Sequence, residues 1–381
     1  MRTVAEAIDQ IATAYDELDK YAFVAEELGT APVELIDVMR TLRVPMIKAP
    51  PEVGGDHLLL ADQQRYFESL SYANPTAGWI GFNHAGAAGK CGSMLSEEGC
   101  EAVFGPTGSP FLAAVAAPSG TFEVVEGGIQ VTGTYKFASG IQHAEWLMVP
   151  AIEAAKRPSM RMAVVNASDF GTEGDWKVMA LRGTGSVDAV LDKAFVPQHL
   201  TADVFAPPAR GGPMYSLGYQ TYVAGENLGF TLGVCQRFMD EVARYATTKS
   251  RGSDGRLADR GAFQYELGKG QLQVNAARAY GAKTLAEADG VCVANNGLTK
   301  TEEQQVVAMM AFSTESATKA VSHLFHFAGA GALFEDSVLQ RCFRDVHGSS
   351  QHHVASNVVY DRFGQSLLAA AETAFLETKD L

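Results

Sequence analysis

Three observations predict an α+β fold of the helix–sheet–helix kind. Helical periodicity occupies both ends of the chain, the middle is β-rich and punctuated by Gly and Pro, and no βαβ alternation runs through it. Residues 1–105 form the first helical zone. "VAEAIDQIATAYDELDKYAFVAEEL", "PVELIDVMRTLRV" and "LLLADQQRYFESLSYA" each repeat apolar residues at spacings of three and four, and Ser96 is placed to cap "EEGCEAVF". Residues 106–215 carry short β-rich runs such as "FLAAVA", "WLMVPAI" and "MRMAVVN". "EVVEGGIQVTG" reads as a hairpin turning at Gly127-Gly128. Residues 216–381 return to long helices, apolar on most of their circumference, which predicts a buried four-helix bundle. The Gly/Asp-rich "SRGSDGRLADRG" is a loop between two of them.

Composition narrows the function. A formal net charge of −14 leaves no basic footprint for nucleic acid. No run of about 18 apolar residues is present, so no membrane span is expected. The five cysteines (Cys91, Cys100, Cys235, Cys292 and Cys342) form no CxxC pair, which argues against zinc ribbons and thioredoxin-like redox sites and for reduced, buried thiols. The N-terminus lacks the apolar core of a signal peptide, and the cytoplasm is the expected compartment. No GxGxxG opens a helix after a strand. "GAGALF" alone does not indicate a nicotinamide site.

The stretch "RDVHGSSQHHVASN" gathers three of the nine histidines, His347, His352 and His353. Successive helical residues diverge by about 100°, so His352 and His353 do not converge on a metal. No HExxH or Glu-x-x-His pattern accompanies them.

Four segments carry a family resemblance: "NPTAGWIGFNHAGA", "YKFASGIQHAEWLMV", "ALRGTGSVDAVLDKAFVP" and "FAGAGALFEDSVLQRCFRDV". In this order and spacing the chain resembles the acyl-CoA dehydrogenase superfamily, and within it the two-component flavin-dependent monooxygenases. The resemblance implies a homotetramer that takes reduced FMN or FAD from a separate NAD(P)H-flavin reductase. It also implies O2 as co-substrate and hydroxylation of a small aromatic or indole-type substrate through a C4a-hydroperoxyflavin.

The same resemblance assigns candidate residues. Ser139, in "FASG", is expected at flavin N5, where a hydroxyl can donate or accept as the ring changes redox state. Arg182 and Thr184, with Ser186 as a weaker candidate, are expected near flavin or substrate. Arg251 is the candidate for the flavin phosphate, although "SRGSDG" departs from the usual Arg-x-x-Phe-Gly. His84 is expected to line the substrate side, a buried core histidine being its alternative.

A dehydrogenase of this superfamily keeps its catalytic Glu after the Arg-Asp pair, where this chain has His352 and His353. The second position used for that base falls near Tyr219 and Gln220, with Glu226 a turn further on. A histidine eight residues after Arg344 matches the hydroxylase branch, and an imidazole with a pKa of about 6.5 can hold and return a proton at neutral pH. His352 is therefore the expected catalytic imidazole, with His353 as runner-up and as a cofactor contact. The alternatives are a dehydrogenase or related flavin oxidase with an unrecognised base, or a non-catalytic scaffold.

Overall fold

The computed structural model describes residues 1–154, 159–250 and 255–379, with side chains to 372. Six helices open the chain: α1 (Val4–Thr13), α2 (Tyr15–Leu28), α3 (Val33–Thr41), α4 (Leu60–Ala73), α5 (Pro75–Met94) and α6 (Glu97–Phe104). Thr3 and Glu6 form a reciprocal capping box on α1, and Ser96 accepts from the Gly99 N–H at the start of α6. The single periodic run at the N-terminus is two helices, because the helix is interrupted at Ala14.

Eight strands follow: β1 (Leu112–Ala114), β2 (Gly120–Val125), β3 (Gly128–Tyr135), β4 (Trp146–Glu153), β5 (Met160–Asn166), β6 (Gly171–Glu173), β7 (Asp188–Pro197) and β8 (Thr201–Asp203). They form one sheet in the order β6-β7-β3-β2-β4-β5-β8, with β1 parallel to β4. The expected hairpin joins β2 to β3, but its turn is Glu126-Gly127. Gly127 takes the positive φ, and Gly128 already pairs with Val125. The remaining helices are α7 (Tyr219–Tyr222), α8 (Ala224–Thr248), α9 (Gly261–Asn295), α10 (Lys300–Ala328), α11 (Val338–Ser349) and α12 (Val358–Lys379). α11 adds a fifth long helix to the four expected.

Two main cores result. One is shared by the N-terminal helices and the C-terminal bundle, and α4 lies directly against α8. The other lies under the sheet and includes α6. α5 serves both: Trp79, Ile80, Phe82 and Ala85 face the helical core, while Ala87, Ala88 and Cys91 face the sheet core. That double duty explains why α5 is buried around almost its whole circumference. All five cysteines are free and buried. Among the described residues no helix is long and apolar enough to cross a membrane.

Candidate active site

The site begins with strand pairing. β3 and β7 are antiparallel neighbours with Tyr135 opposite Ala189, so the loop leaving β3 and the loop entering β7 meet at one end of the sheet. Two backbone bonds join them, Ala138 N–H to Val187 C=O at 3.1 Å and Gly140 N–H to Thr184 C=O at 2.9 Å. Pairing thus brings Ser139 to Ser186 and Thr184, although 47 residues separate the two serines.

These hydroxyls form a chain with one consistent direction. Thr184 Oγ1 donates to the Leu181 carbonyl at 2.9 Å. Its single proton is then used, so it accepts from Ser186 at 2.7 Å, and Ser186 accepts from Ser139 at 2.8 Å. Ser139 Oγ in turn accepts the Trp79 indole N–H at 3.1 Å. Ser139 and Ser186 are buried and Thr184 fully so. The Ser139 oxygen, having given its proton and accepted one, keeps one lone pair free.

α11 anchors this chain from behind. The buried Asp345 carboxylate accepts the Leu181 N–H at 2.7 Å. Arg344 donates to the Met179 carbonyl at 2.7 Å and pairs with Glu26. The Arg-Asp dipeptide therefore fixes the turn that holds Thr184.

Trp79 links the hydroxyl chain to the histidines. The His352 ring meets it edge-on with centroids 5.7 Å apart, and Trp79 also packs against Phe82 and Phe230. His352 Nδ1 is sealed from solvent and has no hydrogen-bond partner. Burial, with the neighbouring His353, pushes the imidazole down to about 4. His352 is therefore neutral at pH 7, a proton acceptor first, and the free-imidazole value expected from sequence does not hold here. His353 lies on the exposed side, 4.6 Å from His352 between centroids, and stacks on Tyr219 at 5.4 Å with 9° between planes. His347 points elsewhere, to the Ser322 hydroxyl at 2.9 Å. Among the described residues no three His, Cys, Asp or Glu side chains converge as metal ligands.

His84 is fully buried and its Nε2 donates to the Ser139 carbonyl at 3.2 Å. Phe111 packs on the ring edge, and Nδ1 has no partner. Burial holds its pKa down at about 3. The sign of the pH effect follows. An unfolded histidine takes a proton below about pH 6.5 and the folded one does not, so this site costs stability progressively as pH falls from 6.5 toward 3. His84→Gln, which can still donate to that carbonyl, removes the penalty. Its stability relative to wild type should rise by a few kcal/mol, on the order of 4, between pH 7 and pH 3.5. Urea titrations at the two pH values measure this, and a pH-independent difference would contradict the burial argument.

Gly140 fixes the backbone beside Ser139. Its φ is +69°, and a Cβ there would lie 2.7 Å from His84 Nε2. Gly140→Ala is expected to cost about 2–3 kcal/mol in thermal unfolding and to displace Ser139, combining left-handed strain with the clash.

The other expected residues are placed as follows. Arg182 is in the same turn as Thr184, but its guanidinium donates to the Val178 carbonyl at 3.2 Å and joins neither Ser139 nor His352. Arg251 lies outside the described residues. Arg256 in the same loop pairs with Asp259 at the surface. Glu226 is fully enclosed with Lys48, whose Nζ donates to Glu226 Oε2 and to the Tyr222 carbonyl, both at 2.8 Å. The pair sits against the Tyr222 ring. Burial raises Glu226 to about 7, opposed by Lys48.

Sequence reasoning did not single out Trp79 or Lys48. Trp79 was visible as the tryptophan of "GWIGFNH". A lysine inside the apolar run "VPMIKAPP" was the only signal for Lys48.

Residues 228–357 match the model of the acyl-CoA dehydrogenase C-terminal domain. The solved structure of XiaF from a Streptomyces species, in complex with FADH2 and glycerol, superposes with a TM-score of 0.88, covering 96% of both chains at 22% identity. The chain has the fold of this solved structure, and its C-terminal third resembles the acyl-CoA dehydrogenase C-terminal domain. Its helix–sheet–helix order is shared over nearly the whole chain, as α+β patterning predicted. The HsaA monooxygenase of Mycobacterium tuberculosis has the same fold, with a TM-score of 0.86 over 97% of this chain and 98% of that one at 21% identity. The oxygenase component of an FADH2-dependent resorcinol hydroxylase from a Rhizobium species is 26% identical, covering 95% of this chain and 93% of its own. The indole-3-acetate monooxygenase of Pseudomonas putida is 24% identical over 87% of this chain and 85% of its own. In this chain the α11 Arg-Asp pair and the loop after β3 are the segments around which the site is built.

Proposed function

We propose that this protein is the oxygenase component of a two-component system, a reduced-flavin-dependent monooxygenase acting on a small aromatic or indole-type substrate. The observation that carries this reading is the buried pair of unused polar functions flanking Trp79: the free lone pair of Ser139 Oγ and the unpartnered Nδ1 of His352. A buried polar atom without a partner is costly, and a ligand with polar edges relieves the cost. A reduced flavin fits this donor set, since its ring N–H groups donate where Ser139 can only accept. Relatives named as oxygenase components, which implies a separate reductase, support the same reading.

When bound, the reduced flavin supplies two electrons to O2, so that one oxygen atom enters the aromatic ring and the other leaves as water. The protein's own residues do the rest. Ser139, fixed by Ser186 and Thr184, accepts from the ring and orients it. Trp79 holds Ser139 and presents an apolar face. His352, neutral at pH 7, takes the substrate's proton at Nδ1. His84 positions Ser139 through its carbonyl and, at about 3, stays unprotonated throughout the working range. Phe82, Phe111 and Phe230 are buried around these groups and exclude water. Arg182 shapes the turn carrying Thr184, and His353 braces His352 against Tyr219. Arg251 remains the proposed phosphate contact on the resemblance alone.

Among the described residues the dehydrogenase reading finds no uncommitted carboxylate at the second base position. Glu226, nearest in sequence, is locked to Lys48 inside the helical core, and Glu303, nearest in space, accepts the Gly218 N–H. Tyr265, Leu272, Tyr280, Val293 and Phe312 leave large apolar surfaces exposed on α9 and α10. These support the proposed homotetramer. The cytoplasm, with its reductase and its reduced thiols, is the proposed compartment.

Mixing the protein anaerobically with photoreduced FMN or FAD and then admitting air tests the reading. A long-lived absorbance to the blue of oxidised flavin is expected. Immediate reoxidation at the rate of free flavin, or bleaching of bound flavin by an acyl-CoA without air, would count against it.

A further inference from the structure

A cavity of about 550 Å³ opens beside the site, between α7, the first turns of α10, and α12. Its wall includes Tyr219, whose ring stacks on His353, so the cavity is one ring away from the paired imidazoles. Val307 and Val359 give it an apolar floor. Lys300 and Arg362 face it from two different helices, and among the described residues neither forms an ion pair or hydrogen bond. The acids nearby are committed. Glu302 closes the capping box with Thr299, and Glu303, itself in the cavity wall, accepts the Gly218 N–H at 3.0 Å. The wall therefore carries two unpaired cations against one engaged carboxylate, at the positive end of a long helix.

We propose that this cavity binds the substrate as an aromatic carboxylate, with Lys300 and Arg362 taking the acid group and Tyr219 stacking on the ring. The inference rests on the monooxygenase reading for what happens next, and names the substrate class of that same site. A planar guanidinium and an ammonium suit a carboxylate, while an aromatic ring fits between Tyr219 and the valine floor. The Tyr219–His353 stack then stands between the bound ring and His352, and its displacement admits the substrate to the reacting centre.

The test needs neither flavin nor turnover. Titration calorimetry compares phenylacetate, 4-hydroxyphenylacetate and indole-3-acetate with their carboxamides, which match them in shape without the charge. At least one carboxylate is expected to bind about tenfold or more tightly than its amide. Arg362→Gln and Lys300→Gln, at the protein surface and outside the Ser139–Trp79–His352 constellation, should each erode that preference while amide binding is unchanged. Circular dichroism melts establish that both variants fold. Equal affinity for acid and amide, no saturable binding of any of the three acids, or a preference unchanged in both variants would overturn the proposal. Acids that bind with this preference and are never hydroxylated would instead refute the monooxygenase reading and leave the cavity assignment standing.

Discussion

His352→Ala is expected to lower hydroxylation about 10²- to 10⁴-fold while flavin affinity stays within a few-fold of wild type. The asymmetry follows from the geometry. His352 makes no hydrogen bond to the Ser139–Ser186–Thr184 chain, and its link to that chain is an edge-on ring contact with Trp79. Its removal takes away the proposed proton acceptor and leaves in place the Ser139 hydroxyl proposed to face the flavin. Because burial holds the imidazole at about 4, wild-type activity should persist to pH values well below 6.5 before protonation of His352 silences it. Steady-state rates and fluorescence titration of reduced and oxidised flavin separate the two effects. A variant with wild-type turnover would remove His352 from the mechanism.

Lys48→Met should produce the largest loss of stability, about 3–5 kcal/mol at pH 8. Both members of the Lys48–Glu226 pair are fully enclosed, and the pair joins the loop after α3 to the start of α8. Removing the cation leaves Glu226 alone in an apolar site. Its pKa, already about 7 with Lys48 present, then climbs further because the group opposing burial is gone. A carboxyl with a raised folded pKa contributes stability that is fully present below its unfolded value, about 4.5, and is lost as pH rises through the folded value. The deficit of Lys48→Met relative to wild type should therefore shrink toward pH 5 and be largest at pH 8. The double variant Lys48→Met/Glu226→Gln should recover part of the loss at pH 8. Denaturant titration across pH gives the answer, and a deficit that grows on acidification would mean that Glu226 is not the stranded group.

Much of the fold was legible because periodicity reports burial directly. The amphipathic spacing of the helices, the Ser96 cap and the β2–β3 hairpin all have local causes, and local causes are written in neighbouring residues. The break at Ala14 between α1 and α2 was not, since the apolar spacing runs on across it.

The site was legible only in pieces. Ser139, Ser186 and Thr184 could be chosen from the resemblance, but their single-file hydrogen bonding depends on the β3–β7 register, which no local pattern states. His352 was chosen by its distance from Arg344, yet its lowered proton affinity comes from burial and from the neighbouring His353. His84 had two readings in sequence. Its enclosure on the Ser139 carbonyl favours a positioning role over a proton-transfer one. The pairing of Lys48 was hidden for a related reason: its partner Glu226 lies 178 residues away, and only the packed helical core brings them together.

The central claim is that the Trp79-bridged constellation directs oxygen from O2 into an aromatic ring. Isotope-labelled O2 tests it most directly: the holoenzyme, supplied with reduced flavin by a generic reductase, is incubated with an aromatic panel and the products are weighed by mass spectrometry. The account predicts a hydroxylated product carrying one labelled oxygen atom, lost in His352→Ala and Ser139→Ala. Product whose new oxygen comes from water, or labelled oxygen recovered only as hydrogen peroxide across the whole panel, would contradict it.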